Sequence, residues 1–273
     1  MTANNYFSLN HIISPNLSFQ EFFKLSKKLN IQNIEIRNDL QKIFLDKTNP
    51  DAIKTLADEY KINILAINAL QKFNIWNKER EEEFLFLCKF AKKCGSKSIL
   101  LVPLNTGEFV NKNERIELLN NSLGHIHNIL NDYDLFGYVE PLGFKISSLR
   151  YKSEVVESLD KISSNSNLKI LHDTFHHHLA GEDLIYPDLT GLVHISGVKE
   201  TSVSIDDLTD AQRVLIDKDD VVQNVEQIIK LKEGGYNGVF SFEPFSEKIH
   251  KIPDPTNEIT KSINYLKETC SLN

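Results

Sequence analysis

The chain of 273 residues lacks the marks of membrane, secreted and low-complexity proteins. No run of about 18 apolar residues occurs, which excludes an ordinary transmembrane helix. The stretch from Met1 to Phe7 has neither a basic segment nor a continuous apolar core, so we expect no secretory signal. No linker rich in Pro, Gly or Ser divides the sequence, and we therefore expect one domain over residues 1–273.

Cysteine is scarce. The sequence has three, Cys88, Cys94 and Cys270, and none belongs to a Cys-x-x-Cys pair. An odd and widely spaced set predicts reduced thiols that pack as small apolar side chains, which is typical of a cytoplasmic protein.

Positive charge is also in deficit, because 31 Lys and Arg stand against 38 Asp and Glu, a formal net charge of −7. The surface should repel nucleic acids and anionic membranes, so we expect neither as a partner. The hydrophobic share of 41% and the charged share of 25% are those of a globular protein.

Short apolar runs alternate along the whole chain with segments of helical period, such as the one that a Ser18–Glu21 capping box opens. Strict alternation of eight such strands predicts a parallel sheet closed into a single α/β domain, the (β/α)8 or TIM barrel. Only the stretch after the sixth strand has a weak helical pattern. The predicted strands are residues 6–13, 33–37, 62–68, 98–103, 136–141, 168–173, 191–195 and 238–243, and the helix before the third strand is expected to be capped by Asp51.

Ionisable residues end four consecutive strands: Glu140, Asp173, His194 and Glu243. In this fold the carboxyl ends of the strands carry function. Any one of these residues alone is best explained as a salt-bridged strand terminus. Four at equivalent positions would repel one another, which favours a divalent cation among them; Mn²⁺, Co²⁺, Zn²⁺ and Mg²⁺ all accept mixed oxygen and nitrogen ligands.

Histidines are concentrated between His172 and His178. Neighbours alternate across a strand, so His172 should point away from Asp173. His176 and His178 lie beyond the strand end and are predicted to reach a substrate hydroxyl. His177 is interpreted as a surface residue.

The segments resemble the xylose-isomerase-like barrel superfamily, and within it the inosose (2-keto-myo-inositol) isomerases. The Asp-x-Phe-His pattern of residues 173–176 with the two outer glutamates is fairly specific for the superfamily. Ile67-Asn-Ala-Leu70 and Leu208-Thr-Asp210 favour the inosose branch. The resemblance also includes Ile34-Glu-Ile-Arg37, Val102-Pro-Leu104, Val139-Glu140, His194-Ile195 and Phe242-Glu243.

This resemblance implies a metal-dependent isomerase of a sugar or cyclitol ketone, with a role in carbohydrate metabolism such as inositol catabolism. One divalent ion (Zn, Mn, Co or Mg) would be held by Glu140, Asp173, His194 and Glu243. The carbonyl would move by proton transfer through a metal-stabilised enediolate, with Glu140 and Glu243 as acid and base. His176 and Arg213 match substrate-contacting positions, and Asn68 at the third strand end is a useful polar neighbour of the sugar.

Two segments depart from the family pattern. Relatives usually carry acidic residues soon after the seventh-strand histidine, where this chain has His194-Ile-Ser-Gly-Val198. They also usually have a Pro-Gly-x-Gly turn after the arginine, where this chain has Leu215-Ile-Asp-Lys-Asp219. Both lie at the expected rim of the site and bear on the choice of substrate.

Other functions remain open at this point. A ketose 3-epimerase, a hydroxypyruvate isomerase, and an inosose or dehydroshikimate dehydratase would use the same ligands, and a non-catalytic sugar-binding barrel would keep them. An apurinic endonuclease is disfavoured, because Arg37, Asn68 and Pro103 stand where it needs further histidines. Trp76 is interpreted either as a lid over the sugar or as a packing anchor.

Overall fold

The computed structural model describes residues 4–109, 111–162 and 166–272. Eight parallel strands pair in chain order, and the last pairs with the first, which closes the barrel. The predicted (β/α)8 architecture is confirmed. The strands are β1 Phe7–Asn10, β2 Asn33–Arg37, β3 Asn63–Gln71, β4 Ser98–Val102, β5 Phe136–Val139, β6 Leu168–Asp173, β7 Thr190–Ile195 and β8 Phe240–Phe242.

Helices connect the strands and cover the outside of the barrel. The first begins at the predicted capping box, in which Ser18 and Glu21 each bond the backbone of the other. The helices are α1 Phe19–Lys28, α2 Pro50–Tyr60, α3 Lys78–Cys94, α4 Lys112–Tyr133, α5 Lys152–Leu159, α6 Thr174–Ala180, α7 Asn224–Glu233, α8 Glu247–His250 and α9 Thr256–Thr269. Among the described residues, none of these helices is long and apolar enough to cross a membrane.

Several predicted boundaries are wrong by one to three residues, and the reason or extent is clear for three of them. Strand β1 ends at Asn10 rather than Ile13, because the Asn10 side chain accepts a hydrogen bond from the next turn and starts a short 3₁₀ helix. The cap of α2 is Asn49, which bonds the backbone N–H of Asp51, the residue predicted to cap it. Strand β3 continues to Gln71, three residues past its predicted end.

The three cysteines are buried and unpaired, as predicted. Burial raises the pKa of Cys88 to about 12 and that of Cys94 to about 11, so both thiols stay protonated and pack as apolar groups.

Gly143 lets the loop after β5 pack directly on α6. A Cβ atom at this position would lie 2.1 Å from the carbonyl oxygen of His176 and 2.8 Å from the backbone nitrogen of Ala180. No side chain fits there, so the close approach of loop and helix requires glycine.

We predict that Gly143→Ala lowers the free energy of unfolding by about 1–3 kcal/mol, because the loop must separate from α6. Urea unfolding followed by circular dichroism measures this change. The matched control is Gly124→Ala in α4, where an added Cβ meets nothing within 4 Å. The control should raise stability by up to about 1 kcal/mol through helix propensity. Equal stability of the two variants would contradict the packing described.

Candidate metal centre

Four ionisable side chains converge at the carboxyl end of the barrel. Glu140 follows β5, Asp173 ends β6, His194 is the penultimate residue of β7, and Glu243 follows β8. Each residue offers one side-chain nitrogen or oxygen atom such that these four atoms all lie within 4.8 Å of one another, and all four residues are buried. The predicted convergence is therefore confirmed.

The His194 ring is oriented by contacts at both nitrogens. Its Nε2 atom lies 3.0 and 3.1 Å from the two carboxylate oxygens of Glu35 in β2. Its Nδ1 atom faces Glu243 at 2.9 Å, Glu140 at 3.4 Å and Asp173 at 3.9 Å. Within the described part of the chain, no hydrogen bond of acceptable geometry reaches Nδ1. A buried nitrogen without a partner thus points at three carboxylates.

Two arginines neutralise part of the negative charge of this cluster. Arg213 Nη2 lies 2.6 Å from Asp173 Oδ2 and 2.9 Å from Glu243 Oε2, and Arg37 Nη1 lies 2.8 Å from Glu243 Oε1. Arg37 also pairs with Asp39, and Arg213 with Asp210. Each guanidinium is divided between several carboxylates, so positive charge in the cluster is still lacking.

The two glutamates differ in their surroundings, and their pKa values shift in opposite directions. Burial raises the pKa of Glu140, and the nearby His194 only partly offsets this. Burial alone would also raise the pKa of Glu243, but the charges of His194 and Arg213 lower it well below its usual range. For His194, burial acts to lower the pKa, but the charges of Glu243 and Glu35 raise it well above the ordinary value.

The donor set fits a divalent cation. Three carboxylates and one imidazole are a ligand set that Zn²⁺, Mn²⁺, Co²⁺ and Mg²⁺ accept. The unpartnered Nδ1 atom of His194 is the kind of atom that a metal ion would engage. An ion among these residues would also supply the positive charge that the two arginines provide only in part.

A cavity of about 330 Å³ opens above the cluster and is lined by Glu140, Glu243, Arg213, Asn68 and His176, among others. Its volume suits a small polar ligand. A larger cavity of about 520 Å³ lies beside α8 and α9, but none of the four cluster residues lines it.

Three of the predicted substrate-contacting residues line the 330 Å³ cavity. His176 is 3% exposed, and its Nδ1 atom has no hydrogen-bond partner among residues 4–109, 111–162 and 166–272. Asn68 donates a hydrogen bond of 3.3 Å to Glu243 Oε1, and Arg213 pairs with Asp173 and Glu243. The Oδ1 atom of Asn105, which the sequence reasoning missed, is also buried and unpartnered on this wall.

The prediction for His178 is wrong. This side chain lines a separate groove, with Glu182 and Gln227 among its neighbours, on the outer flank of the barrel. Residues 176 and 178 lie on one helix, α6, and two steps along a helix turn the side chain by about 200°. Because the helical pattern of this stretch is weak, the sequence did not indicate that the two side chains point in opposite directions.

The other two histidines of the cluster fit into the outer layer. His172 points away from Asp173, as strand alternation predicts, and its Nε2 atom lies 2.9 Å from Gln227 Oε1 in α7. His177 lies on the outer flank and lines the same groove as His178, in agreement with its surface interpretation, although its ring is half-buried and contacts Lys152. Burial and the Lys152 charge lower the pKa of His177 to about 3.

Trp76 does not line the cavity. Its ring stacks on His125 with centroids 5.5 Å apart and meets the edge of Phe84 at 6.2 Å. Of the two interpretations of this residue, the structure supports the packing anchor.

The segment that departs from the family pattern after β7 positions Arg213. Ser196 Oγ accepts a hydrogen bond from Arg213 Nε at 2.8 Å. Gly197 and Val214 exchange two backbone hydrogen bonds of 2.8 Å, which fix the chain just after the arginine. Hydrogen bonds within this rim loop therefore hold the guanidinium over the cluster.

Comparison with known proteins agrees with this geometry. A family model described as xylose isomerase-like TIM barrel matches residues 23–269, and the chain belongs to this family. A xylose isomerase domain containing protein from Salmonella typhimurium LT2 is 32% identical, with a TM-score of 0.86 over 100% of this chain and 98% of that one.

More distant structures have the same fold. The IolI protein with a bound zinc atom is 22% identical, with a TM-score of 0.86 over 98% of each chain. A D-tagatose 3-epimerase-like protein is 20% identical, with a TM-score of 0.74 over 98% of this chain and 97% of that one. No curated protein matches the chain.

Because Arg37 balances a buried carboxylate, we predict that Arg37→Met lowers the free energy of unfolding by about 3–5 kcal/mol. Adding Glu243→Gln should recover part of the lost stability, because it removes the carboxylate charge that Arg37 no longer balances. Thermal and urea unfolding of the single and double variants measures both effects.

The control is Lys218→Met, which breaks an ion pair whose partners are 81% and 58% exposed, and it should cause no measurable change. A loss as small for Arg37→Met as for this control would contradict the electrostatic description of the cluster.

Proposed function

We propose that the chain is a metal-dependent isomerase of a sugar or cyclitol ketone, most similar in activity to inosose (2-keto-myo-inositol) isomerase. The observation that carries this proposal is the convergence of Glu140, Asp173, His194 and Glu243, two of which, Glu140 and Glu243, line the 330 Å³ cavity. The zinc atom of the IolI structure and the similarity to a D-tagatose 3-epimerase-like protein support it.

The ion would be held by Glu140, Asp173, His194 Nδ1 and Glu243. Bound there, a divalent cation supplies positive charge that polarises a substrate carbonyl and makes the hydrogen on the neighbouring carbon more acidic.

Glu140 is the proton acceptor in this proposal. Among the described residues, His194 is its one partner at ion-pairing distance. Glu243 Oε1, in contrast, accepts hydrogen bonds from Arg37, Asn10 and Asn68. Each donor stabilises the ionised form, so Glu140 accepts a proton more readily than Glu243. Glu243, three strands further round the barrel, faces the site from the other side and carries the proton to or from the adjacent carbon.

Neutral polar groups would orient the substrate, together with the guanidinium of Arg213, which also pairs with carboxylates. His176 Nδ1 and Asn105 Oδ1 have no hydrogen-bond partner among the residues that the structure describes, and each can hydrogen-bond a hydroxyl group. Arg213 and Arg37 already pair with carboxylates, so neither has full charge left for an anionic substrate. These features favour an uncharged polyol ketone over a phosphorylated one.

An apurinic endonuclease activity does not fit this arrangement. In β2 and β3, where that activity needs further metal-ligating histidines, Arg37 and Asn68 are hydrogen-bonded to Glu243. A 3-epimerase or a dehydratase would use the same proton acceptor on a different ketone, and product analysis separates them.

The test is NMR of the zinc- or manganese-loaded protein with inosose, a ketohexose and hydroxypyruvate in D₂O. We expect deuterium to enter the carbon next to the carbonyl of the inosose and an isomeric ketone to accumulate. Glu140→Gln should slow this exchange by about 10²–10⁴-fold, the usual contribution of a general base.

Metal content must be measured in the same samples, because Glu140 is also a proposed ligand. The matched control is Glu247→Gln, an exposed glutamate in α8, which should exchange at the rate of the unaltered protein. If the metal-loaded protein binds a ketone without any exchange, the chain is a sugar-binding barrel and the isomerase proposal is wrong.

A further inference from the structure

Glu35 lies deep inside the barrel, below the proposed ligands. It is the middle residue of β2, between Ile34 and Ile36, and its side chain is fully buried. Nothing in the proposed reaction uses it directly. A buried carboxylate among apolar strand residues is costly unless it has partners, so its contacts indicate why it is there.

The partners of Glu35 come from across the barrel. Both of its carboxylate oxygens face Nε2 of His194 in β7, at 3.1 and 3.0 Å, and its Oε1 atom contacts the hydroxyl of Ser241 in β8. Among the residues that the structure describes, no lysine or arginine lies within 4.0 Å of this carboxylate. Glu35 is therefore held by hydrogen bonds to a histidine and a serine.

This contact determines which nitrogen of His194 faces the cluster. An ionised carboxylate only accepts hydrogen bonds, so His194 must carry its hydrogen on Nε2 to bond Glu35. A neutral imidazole carries only one such hydrogen, so in the neutral ring a hydrogen bond from Nε2 leaves the lone pair on Nδ1. Nδ1 faces Glu140, Asp173 and Glu243, so a cation bound among these carboxylates would take the lone pair of Nδ1 while Nε2 donates to Glu35.

We propose that Glu35 is a positioning residue that fixes the tautomer and orientation of His194 for metal binding. The proposal rests on the metal site described under the proposed function. Carboxylates that accept a hydrogen bond from a metal-ligating histidine raise the basicity of the ligand and restrict its rotation. Ser241 assists by holding Oε1 of Glu35 in place.

The experiment compares Glu35→Gln with the unaltered protein by zinc titration against a competing chelator. Glutamine keeps the shape and one acceptor oxygen but removes the charge and adds a donor. We expect zinc affinity to fall by about 10–100-fold, the usual cost of losing such a contact. The control is Glu154→Gln, a buried glutamate paired with Arg115 outside the cavity, which should leave zinc affinity unchanged.

A spectroscopic readout tests the role directly and does not require a folded Glu35 variant. Nitrogen-15 NMR of the zinc-loaded protein should show the His194 ring with hydrogen on Nε2 and the metal on Nδ1. The resonance is assigned by its loss in His194→Gln.

The possible failures can be told apart. If the unaltered protein binds no zinc, the proposed metal site is wrong and the role of Glu35 falls with it. If it binds zinc but Glu35→Gln binds equally well, or if the NMR shows the hydrogen on Nδ1, only the inference about Glu35 is overturned.

Discussion

Mutual repulsion among three buried carboxylates is the constraint on which the rest of this site depends. Arg37 and Arg213 relieve part of it, and both guanidiniums pack over the ring of Phe245, with centroid distances of 5.3 and 4.8 Å. At the rim, Arg37 also pairs with Asp39, and Arg213 also pairs with Asp210. An unbalanced buried charge costs several kcal/mol, so folding and the proposed chemistry depend on the same electrostatic balance. A divalent ion would complete it.

The closed parallel barrel makes this concentration of charge possible. Parallel strands end at one rim, so single residues from four strands meet although they are far apart in the sequence. Strand alternation then decides which residues enter the site, since a shift of one residue would turn each side chain to the other face. His172 and Asp173 show this directly: the histidine packs against α7 while the carboxylate next to it joins the cluster.

Local patterns were enough to predict the barrel and its four converging residues, because alternation and polar strand ends can be seen in short segments. Long-range partners could not be predicted in this way. Glu35 interrupts the apolar residues of β2, which is a visible signal, but nothing local indicates that His194 lies opposite. The error at His178 has a similar origin, because the rotation along α6 decides where that ring lies, and the contact of His177 with a lysine from α5 is equally invisible in the local sequence.

Anomalous X-ray diffraction from crystals grown with manganese or zinc tests the central claim most directly. We predict one strong anomalous peak at the carboxyl end of the barrel, about 2.0–2.3 Å from Nδ1 of His194 and from oxygens of Glu140, Asp173 and Glu243. A map with no peak there, and with Arg213 still bridging Asp173 and Glu243 at saturating metal, would contradict the account.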